Sequence, residues 1–281
     1  MIDKLINYNK KIPNLINSAL SYQKRQWKWL VVPFICSLLL LLVLMVIFNI
    51  NNTEDLQQAR WFFRLSAFVT FGYVGVAIYL NYKRYVRVYY TGKMFNISPI
   101  VEIIINTIVW CILLLILLVI FIFSTPINIE SSFITTLYFV IMAGILISVI
   151  SIIMGLITVL MFKLDTLFYI CTAITFFIVP IIFIPTTKPS ILMHILMLNP
   201  VFYVVEGVAQ SVVFGAISLN NLPYHFYFYF VIGILCVIIY ALKRIVAYKK
   251  YKIRYKTNQN KTTTQDDTST DNAMTSQTST D

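Results

Sequence analysis

Charged residues are scarce in this sequence, at 12% of a chain in which hydrophobic residues make up 59%. A soluble globular domain carries roughly 25% charged residues, so this composition excludes an ordinary soluble fold. Apolar runs recur along the chain, and several reach the length of about 20 residues that a helix needs to cross a bilayer. The sequence therefore predicts an integral membrane protein built from helices.

Side chains that carry most catalytic chemistry are also few. Neither of the two histidines, His194 and His225, has a second metal-ligating residue at helical spacing, so the sequence contains no metal-binding motif. The four cysteines stand singly in apolar stretches, as small buried hydrophobes do. Thr91-Gly92-Lys93 imitates the end of a phosphate loop, but Arg87 stands where that loop needs a glycine. We therefore expect no catalytic residues, no metal and no nucleotide bound by this chain.

Six apolar runs are predicted to span the membrane as helices. They cover approximately residues 30–50, 61–80, 97–122, 133–161, 167–184 and 224–242. Between the last two spans lie two shorter runs, 191–198 and 201–216, in a proline-containing stretch. Neither short run is long enough to cross comfortably, so we expect short re-entrant helices that dip into the membrane and return.

The sequence divides into three parts. Residues 1–29 place apolar residues on one helical stripe and end in Trp27 and Trp29 among basic residues, which predicts an amphipathic interfacial helix interrupted at Pro13. Residues 30–242 form the transmembrane domain, and its first run is too long for a cleavable signal peptide. Residues 243–281 form a tail that is basic at first and, from Thr257, too polar to fold, so we expect disorder there.

Positive charge is distributed unevenly between the predicted loops. With the N-terminus inside, nineteen of the 22 Lys and Arg residues fall on the cytoplasmic side, and only Arg60, Arg64 and Lys188 fall outside. Cytoplasmic loops of membrane proteins carry such an excess. The sequence thus predicts a multi-pass protein with both termini in the cytoplasm, and its basic charge needs no nucleic-acid partner.

The few acidic residues near the predicted spans are candidates for a specific role. Glu102 lies about one turn inside the third span, where an unpartnered carboxylate costs about 3 kcal/mol; it is either an inter-helix or gating contact or a solvated interfacial residue. Glu206 lies in the second short run, either at the outer mouth of a path or on a helix surface. Asp165 is expected to cap a local turn or to pair with Lys163.

Cations alternate with aromatic residues between the second and third predicted spans. This segment, residues 82–95, contains Tyr82, Arg84, Arg87, Lys93, Met94 and Phe95. Such a pattern is typical of an interfacial anchor, and it also suits a helix that is presented to a cytoplasmic partner.

Three motifs follow one another along the transmembrane domain. Trp27-Lys28-Trp29 runs into Pro33 at the first span, and Lys93-Met94-Phe95 precedes Pro99 before the third. The last motif follows the fifth span and consists of Val179-Pro180-Ile181, Pro185, Asn199-Pro200 and Glu206. Their order resembles the membrane subunits, or permeases, of ABC-2 type exporters, most of all the teichoic-acid and polysaccharide translocation permeases. The resemblance covers approximately residues 23–242.

The resemblance implies a transport subunit and not an enzyme. It implies a homodimer with two copies of a separate ABC ATP-binding subunit, which would hold ATP and Mg, so that this chain binds no cofactor directly. It implies an ATPase-coupling segment that contains Tyr82, Arg84, Arg87, Lys93, Met94, Phe95 and Pro99. It also implies an interfacial helix with Trp27 and Trp29, and a re-entrant exit gate with Pro180, Pro185, Asn199, Pro200 and Glu206.

The expected substrate is a lipid-linked anionic polymer, such as teichoic acid or a polysaccharide. The expected location is a bacterial-type plasma membrane, whose lipids would contact the protein. Export of drugs, peptides or lipids by the same architecture is an alternative. A membrane-embedded enzyme that acts on lipid-linked intermediates is an alternative from another class, and it would depend on Glu102 or Glu206. An ion-coupled transporter is disfavoured, because such proteins need several acids at mid-membrane depth.

Overall fold

The computed structural model describes residues 12–94, 98–125, 129–160, 164–184, 191–220 and 222–275. All regular secondary structure in these ranges is helical, as predicted. In chain order the helices are α1 (Ile12–Arg25), α2 (Trp27–Asn51), α3 (Asp55–Met94), α4 (Pro99–Ser124), α5 (Ile129–Leu160), α6 (Asp165–Ile178), α7 (Ile191–Met197), α8 (Pro200–Phe214) and α9 (Leu222–Thr275). A 3-10 turn, Gly215–Asn220, follows α8.

Five of these helices are long and apolar enough to cross a membrane. They are α2, Asp55–Thr91 of α3, α4, Phe133–Leu160 of α5, and Leu222–Lys249 of α9. Each overlaps one of the predicted spans. The chain is therefore an all-α, multi-pass membrane protein.

The fifth predicted span, residues 167–184, is shorter in the structure than in the prediction. Here α6 has 14 residues, which corresponds to about 21 Å and falls short of a hydrocarbon core of about 30 Å. The helix ends because Pro180 forces the residue before it out of the helical region, and Val179 is extended, with φ −69° and ψ 147°. The apolar run continues beyond the helix to Ile184, and a crossing by the whole run stays a prediction.

The N-terminal unit also differs in detail from the prediction. Residues 1–11 lie outside the described residues, and α1 covers Ile12–Arg25. Pro13 lies in the first described turn of α1, so the interruption predicted there falls at the edge of the described residues. Trp27 and Trp29 belong to the start of α2, where both side chains are about half exposed.

Three helices form the centre of the bundle. Helices α3, α5 and α8 pack against one another, and α4 lies against α3 and α5. Helix α8 is buried along almost its whole length, although it is the shortest of the four. Its close approach to α5 depends on Gly207, where an added Cβ would lie 2.1 Å from the Phe139 ring. The apolar faces of α2 and α9 remain mostly exposed.

The two short runs after α6 form helices close to the predicted bounds, as α7 and α8. Asn199 begins α8: its side-chain oxygen accepts a hydrogen bond from the Val201 backbone N–H at 3.0 Å, and Pro200 occupies the first turn. Pro185, from the same predicted region, lies outside the described residues.

The last helix continues well beyond its membrane-spanning part. The backbone of α9 is helical to Thr275, through the Thr- and Ser-rich stretch whose composition predicts disorder from Thr257. Side chains are described only as far as Lys249. Disorder of the tail in solution therefore stays a prediction from composition.

Candidate functional site

The polar residues of the bundle gather where α3 ends and α4 begins, which we call the α3–α4 end. Helices α1 and α2 meet at this end, α5 and α9 finish their apolar segments there, and α6 starts there. The end is strongly basic. Its described cations are Lys24, Arg25, Lys28, Lys83, Arg84, Arg87, Lys243, Arg244 and Lys249.

A buried ion pair joins α3 to α4 at this end. Arg84 of α3 donates to the Glu102 carboxylate of α4, and the two residues are 6% and 7% exposed. Glu102 sits in the first turn of α4, where the helix dipole also favours a negative charge. The side chain is thus an inter-helix contact, and its burial does not fit the solvated interfacial interpretation.

A second ionic contact joins α3 to α6. The Asp165 carboxylate accepts from the Tyr82 hydroxyl at 2.7 Å and from the Lys83 ammonium at 2.6 Å. These two donors, Lys83 first, hold the pKa of Asp165 below its usual range. Leu164 is the N-cap residue of α6, and no side chain caps it. Residues 161–163, with the expected partner Lys163 and most of the turn before α6, lie outside the described residues, so the local cap and the pair with Lys163 stay predictions.

We refer to Tyr82, Lys83, Arg84, Glu102 and Asp165 together as the joint. Three consecutive residues of α3 bind both neighbouring helices because successive helical side chains point about 100° apart. The two pairs differ in environment: Arg84–Glu102 is enclosed, whereas the side chains of Lys83 and Asp165 are nearly half exposed. The enclosed pair is the stronger constraint on helix position, because neither charge can exchange its partner for water.

A chain of amides lies beside the joint. Gln23 of α1 donates to Asn106 of α4 at 2.5 Å, and Asn106 donates to Asn81 of α3. Asn81 in turn donates to the Thr107 hydroxyl at 3.0 Å. All four side chains are buried. This amide chain (Gln23, Asn106, Asn81 and Thr107) fixes the amphipathic helix α1 to the two central helices.

Replacing Asn106 with leucine is expected to lower the free energy of unfolding by about 1–3 kcal/mol, because the Gln23 and Asn81 amides would stay buried with one partner fewer. Thermal melting of the detergent-solubilised protein measures the change. Asn49→Leu is the matched control, since Asn49 is exposed on α2 and should melt like the parent. Equal melting of both variants would contradict the structural role of the amide chain.

The remaining residues of the predicted coupling segment lie around the end of α3. Arg87 is exposed one turn beyond the joint, and Pro99 opens α4. Lys93 and Met94 form the last turn of α3, but their side chains are not among those described, and Phe95 lies outside the described residues. The segment is thus mostly a helical extension of α3, and the interval from Met94 to Pro99 is short.

Glu206 of α8 lies in the half of the bundle that is opposite to the α3–α4 end. It is 1% exposed, and its Oε1 accepts from Gln210 one turn along α8 at 2.9 Å. Its Oε2 has no hydrogen-bond partner among the described residues. This burial is incompatible with a helix-surface carboxylate. Pro180, which follows the end of α6, is also buried.

Both histidines form contacts with tyrosines of the same half. His225 of α9 is hydrogen-bonded to the Tyr203 hydroxyl of α8, and its Nε2 lies 3.3 Å from the Leu219 carbonyl oxygen. His194 of α7 is hydrogen-bonded to the Tyr224 hydroxyl. Among the described residues, no three His, Cys, Asp or Glu side chains come close enough to hold a metal ion.

Sequence reasoning identified Glu102 and Arg84 separately but missed the amide chain. A signal was present: Asn106 is a lone amide inside a run of aliphatic residues, a position that calls for a buried partner. The partners themselves, Asn81 and Gln23, are 25 and 83 residues away.

No protein-family model matches this chain, and no curated protein matches it either.

Proposed function

We propose that this chain is the membrane-spanning permease subunit of an ATP-driven exporter of the ABC-2 type. The observation that carries the proposal is the joint at the basic α3–α4 end. There α3 is bound to α4 and α6 by two ionic contacts, while the amide chain binds α1 to α3 and α4. A force applied to the end of α3 would therefore reach three other helices.

The length of α3 supports this role. Its 40 residues extend about 60 Å, compared with about 40–45 Å for a bilayer with its headgroups. Part of the helix must lie outside the membrane, or α3 must tilt strongly. In the proposal, the coupling segment at its end docks on a separate ATP-binding subunit. Closure of two such subunits on ATP and Mg moves α3, and the joint carries α4 and α6 with it.

The proposed topology places the α3–α4 end in the cytoplasm. The basic residues gathered there support it through the positive-inside rule. Six spans result if α6, extended by the apolar residues 179–184, crosses the membrane, and both termini are then cytoplasmic. Helices α7 and α8 would form the re-entrant gate on the outer side, with Glu206 held at its centre. The exposed apolar faces of α2 and α6 would accommodate a second copy in a homodimer.

The proposed cargo is an anionic polymer on a lipid carrier, such as teichoic acid or another polysaccharide. Each cation near a membrane surface attracts an anionic lipid by about 1 kcal/mol, and seven of the nine described cations at the α3–α4 end lie outside the two ion pairs of the joint. Export of a smaller anionic lipid by the same architecture would use the same attraction. The plasma membrane of a bacterial-type cell is the proposed location.

Charge reversal at the end of α3 tests the proposal. Tagged protein from its native host is expected to retain an ATP-binding subunit, and Arg87→Glu combined with Lys93→Glu is expected to lose it, because docking needs the basic end of α3. Arg60→Glu is the matched control: Arg60 is exposed on the same helix at its opposite end, and this variant should retain the subunit. Mass spectrometry of the purified material measures the stoichiometry.

Two outcomes of this purification would contradict the proposal. The first is an ATP-binding subunit that remains with the doubly reversed variant, which would place docking elsewhere. The second is the absence of any such subunit under conditions that hold a known exporter together. Turnover of a lipid-linked intermediate by the purified chain alone would instead favour a membrane-embedded enzyme.

A further inference from the structure

A cleft of about 660 Å³ opens between α4, α5 and α9. Its walls are aliphatic and include Ile104 and Ile108 of α4, Ile141 and Ser148 of α5, and Cys236 and Ile239 of α9. No aromatic or charged side chain lines it among the described residues. Ile104, Ile108 and Ile141 are also exposed on the protein surface, so the cleft opens sideways to the surrounding membrane.

The cleft has the length of a lipid chain. On α4 its lining runs from Ile100 to Leu115, which corresponds to about 22 Å along the helix. One leaflet contributes about 15 Å to the hydrocarbon core of a bilayer. A single extended hydrocarbon chain that starts at the α3–α4 end therefore fits within the cleft along its full length.

The end of the cleft carries a cation on the matching face. Lys243 lies four residues after Ile239 and seven after Cys236, so the three side chains share one face of α9. The same face carries Val246, which is fully buried. Lys243 is nevertheless exposed, between two residues that pack on the bundle, and it forms no salt bridge among the described residues. Lys243 therefore follows the lining residue Ile239 by one helical turn toward the α3–α4 end, and its exposed ammonium group is available to an anion there.

We infer that the cleft between α4, α5 and α9 is a binding site for an anionic phospholipid of the leaflet at the α3–α4 end. One acyl chain occupies the cleft, and the headgroup phosphate contacts Lys243. This lipid is a resident component of the subunit and is distinct from the proposed cargo. The site goes beyond the proposed function and does not depend on an ATP-binding subunit.

Native mass spectrometry of the full-length chain in detergent tests the site. Phosphatidylglycerol and phosphatidylcholine with the same acyl chains are added in turn, and bound lipid per chain is counted. We expect phosphatidylglycerol to bind about fivefold more tightly, the preference that one nearby cation supplies. Lys243→Gln should abolish this preference. Arg244→Gln, whose guanidinium instead stacks on Tyr240 at 5.0 Å, should preserve it.

A bulky residue in the cleft tests the position of the acyl chain. Ile108→Trp should reduce retention of both lipids, whereas Val237→Trp, on an exposed residue outside the cleft, should not. The native cysteines localise the lipid further: phosphatidylglycerol should slow alkylation of Cys236, which lines the cleft, and leave the exposed Cys36 and Cys171 unchanged.

Three results would overturn the inference. Equal binding of the two lipids by the parent protein would remove the role of Lys243. Equal slowing at Cys236, Cys36 and Cys171 would indicate a general lipid belt. Protection of Cys236 that rises with protein concentration and not with lipid would show that a second copy of the chain covers the cleft.

Discussion

Replacing Glu102 with alanine is expected to lower the free energy of unfolding by about 3–5 kcal/mol. The change removes the carboxylate from an ion pair whose two residues are almost completely buried, and an enclosed charge that loses its partner is strongly destabilising. Arg84→Met should have a cost of similar size for the same reason. Thermal melting of the detergent-solubilised protein, followed by intrinsic fluorescence, measures the loss.

Two further variants separate the lost pair from a general sensitivity of this region. Arg84→Met combined with Glu102→Leu removes both charges, and such double replacements are often neutral, so this protein should melt near the parent. Lys83→Met breaks the exposed pair with Asp165 and should cost no more than about 1 kcal/mol. If either single change were no worse than Lys83→Met, or if the double variant were the least stable of the series, the buried pair would not be the constraint that the structure indicates.

Replacing Gly207 with alanine is the second change with a large expected effect, at about 1–3 kcal/mol of lost stability. The new Cβ would lie 2.1 Å from the ring of Phe139, which is fully buried, so the ring or one of the two helices must shift. Gly155→Ala should behave alike, since its Cβ would lie 2.3 Å from the ring of Tyr85. The same melting measurement applies.

Gly75→Ala is the matched control for both glycines. Nothing lies within 4 Å of a Cβ at Gly75, so the gain in helix propensity, about 1 kcal/mol, should leave the protein as stable as the parent or more so. Gly207→Ala combined with Phe139→Leu should recover part of the loss by vacating the ring volume. Equal melting of Gly207→Ala and Gly75→Ala would show that α8 does not depend on close contact with α5.

Helix positions could be predicted from the sequence because long apolar runs have few alternatives in a membrane. Helix bounds were harder to predict where an apolar run outlasts its helix: residues 167–184 are largely apolar, and only Pro180 shows that α6 stops at Ile178. The same reasoning correctly located α7 and α8 between prolines. Their burial could not be read from the sequence, because α8 is apolar enough for either a buried or a lipid-facing helix.

Contacts between helices were the part that the sequence could not supply. Glu102 was recognisable as a carboxylate in need of a partner, but the sequence did not show that Arg84 is that partner. Asp165 makes the same point: Lys163 is its nearest cation in sequence, but the structure shows that Lys83, 82 residues away, binds it. The partner of each charge is chosen by how α3, α4 and α6 pack, which local spacing does not encode.

A photo-crosslinking amino acid at the position of Arg87 gives the most direct test of the proposed role of this chain. The tagged protein is produced in its native host and irradiated, and the adduct is identified by mass spectrometry, with the same label at the position of Arg60 as the control. We expect a single major adduct with an ATP-binding subunit from position 87 and none from position 60. An adduct with an unrelated protein at position 87, or none under conditions that crosslink a known exporter, would contradict it.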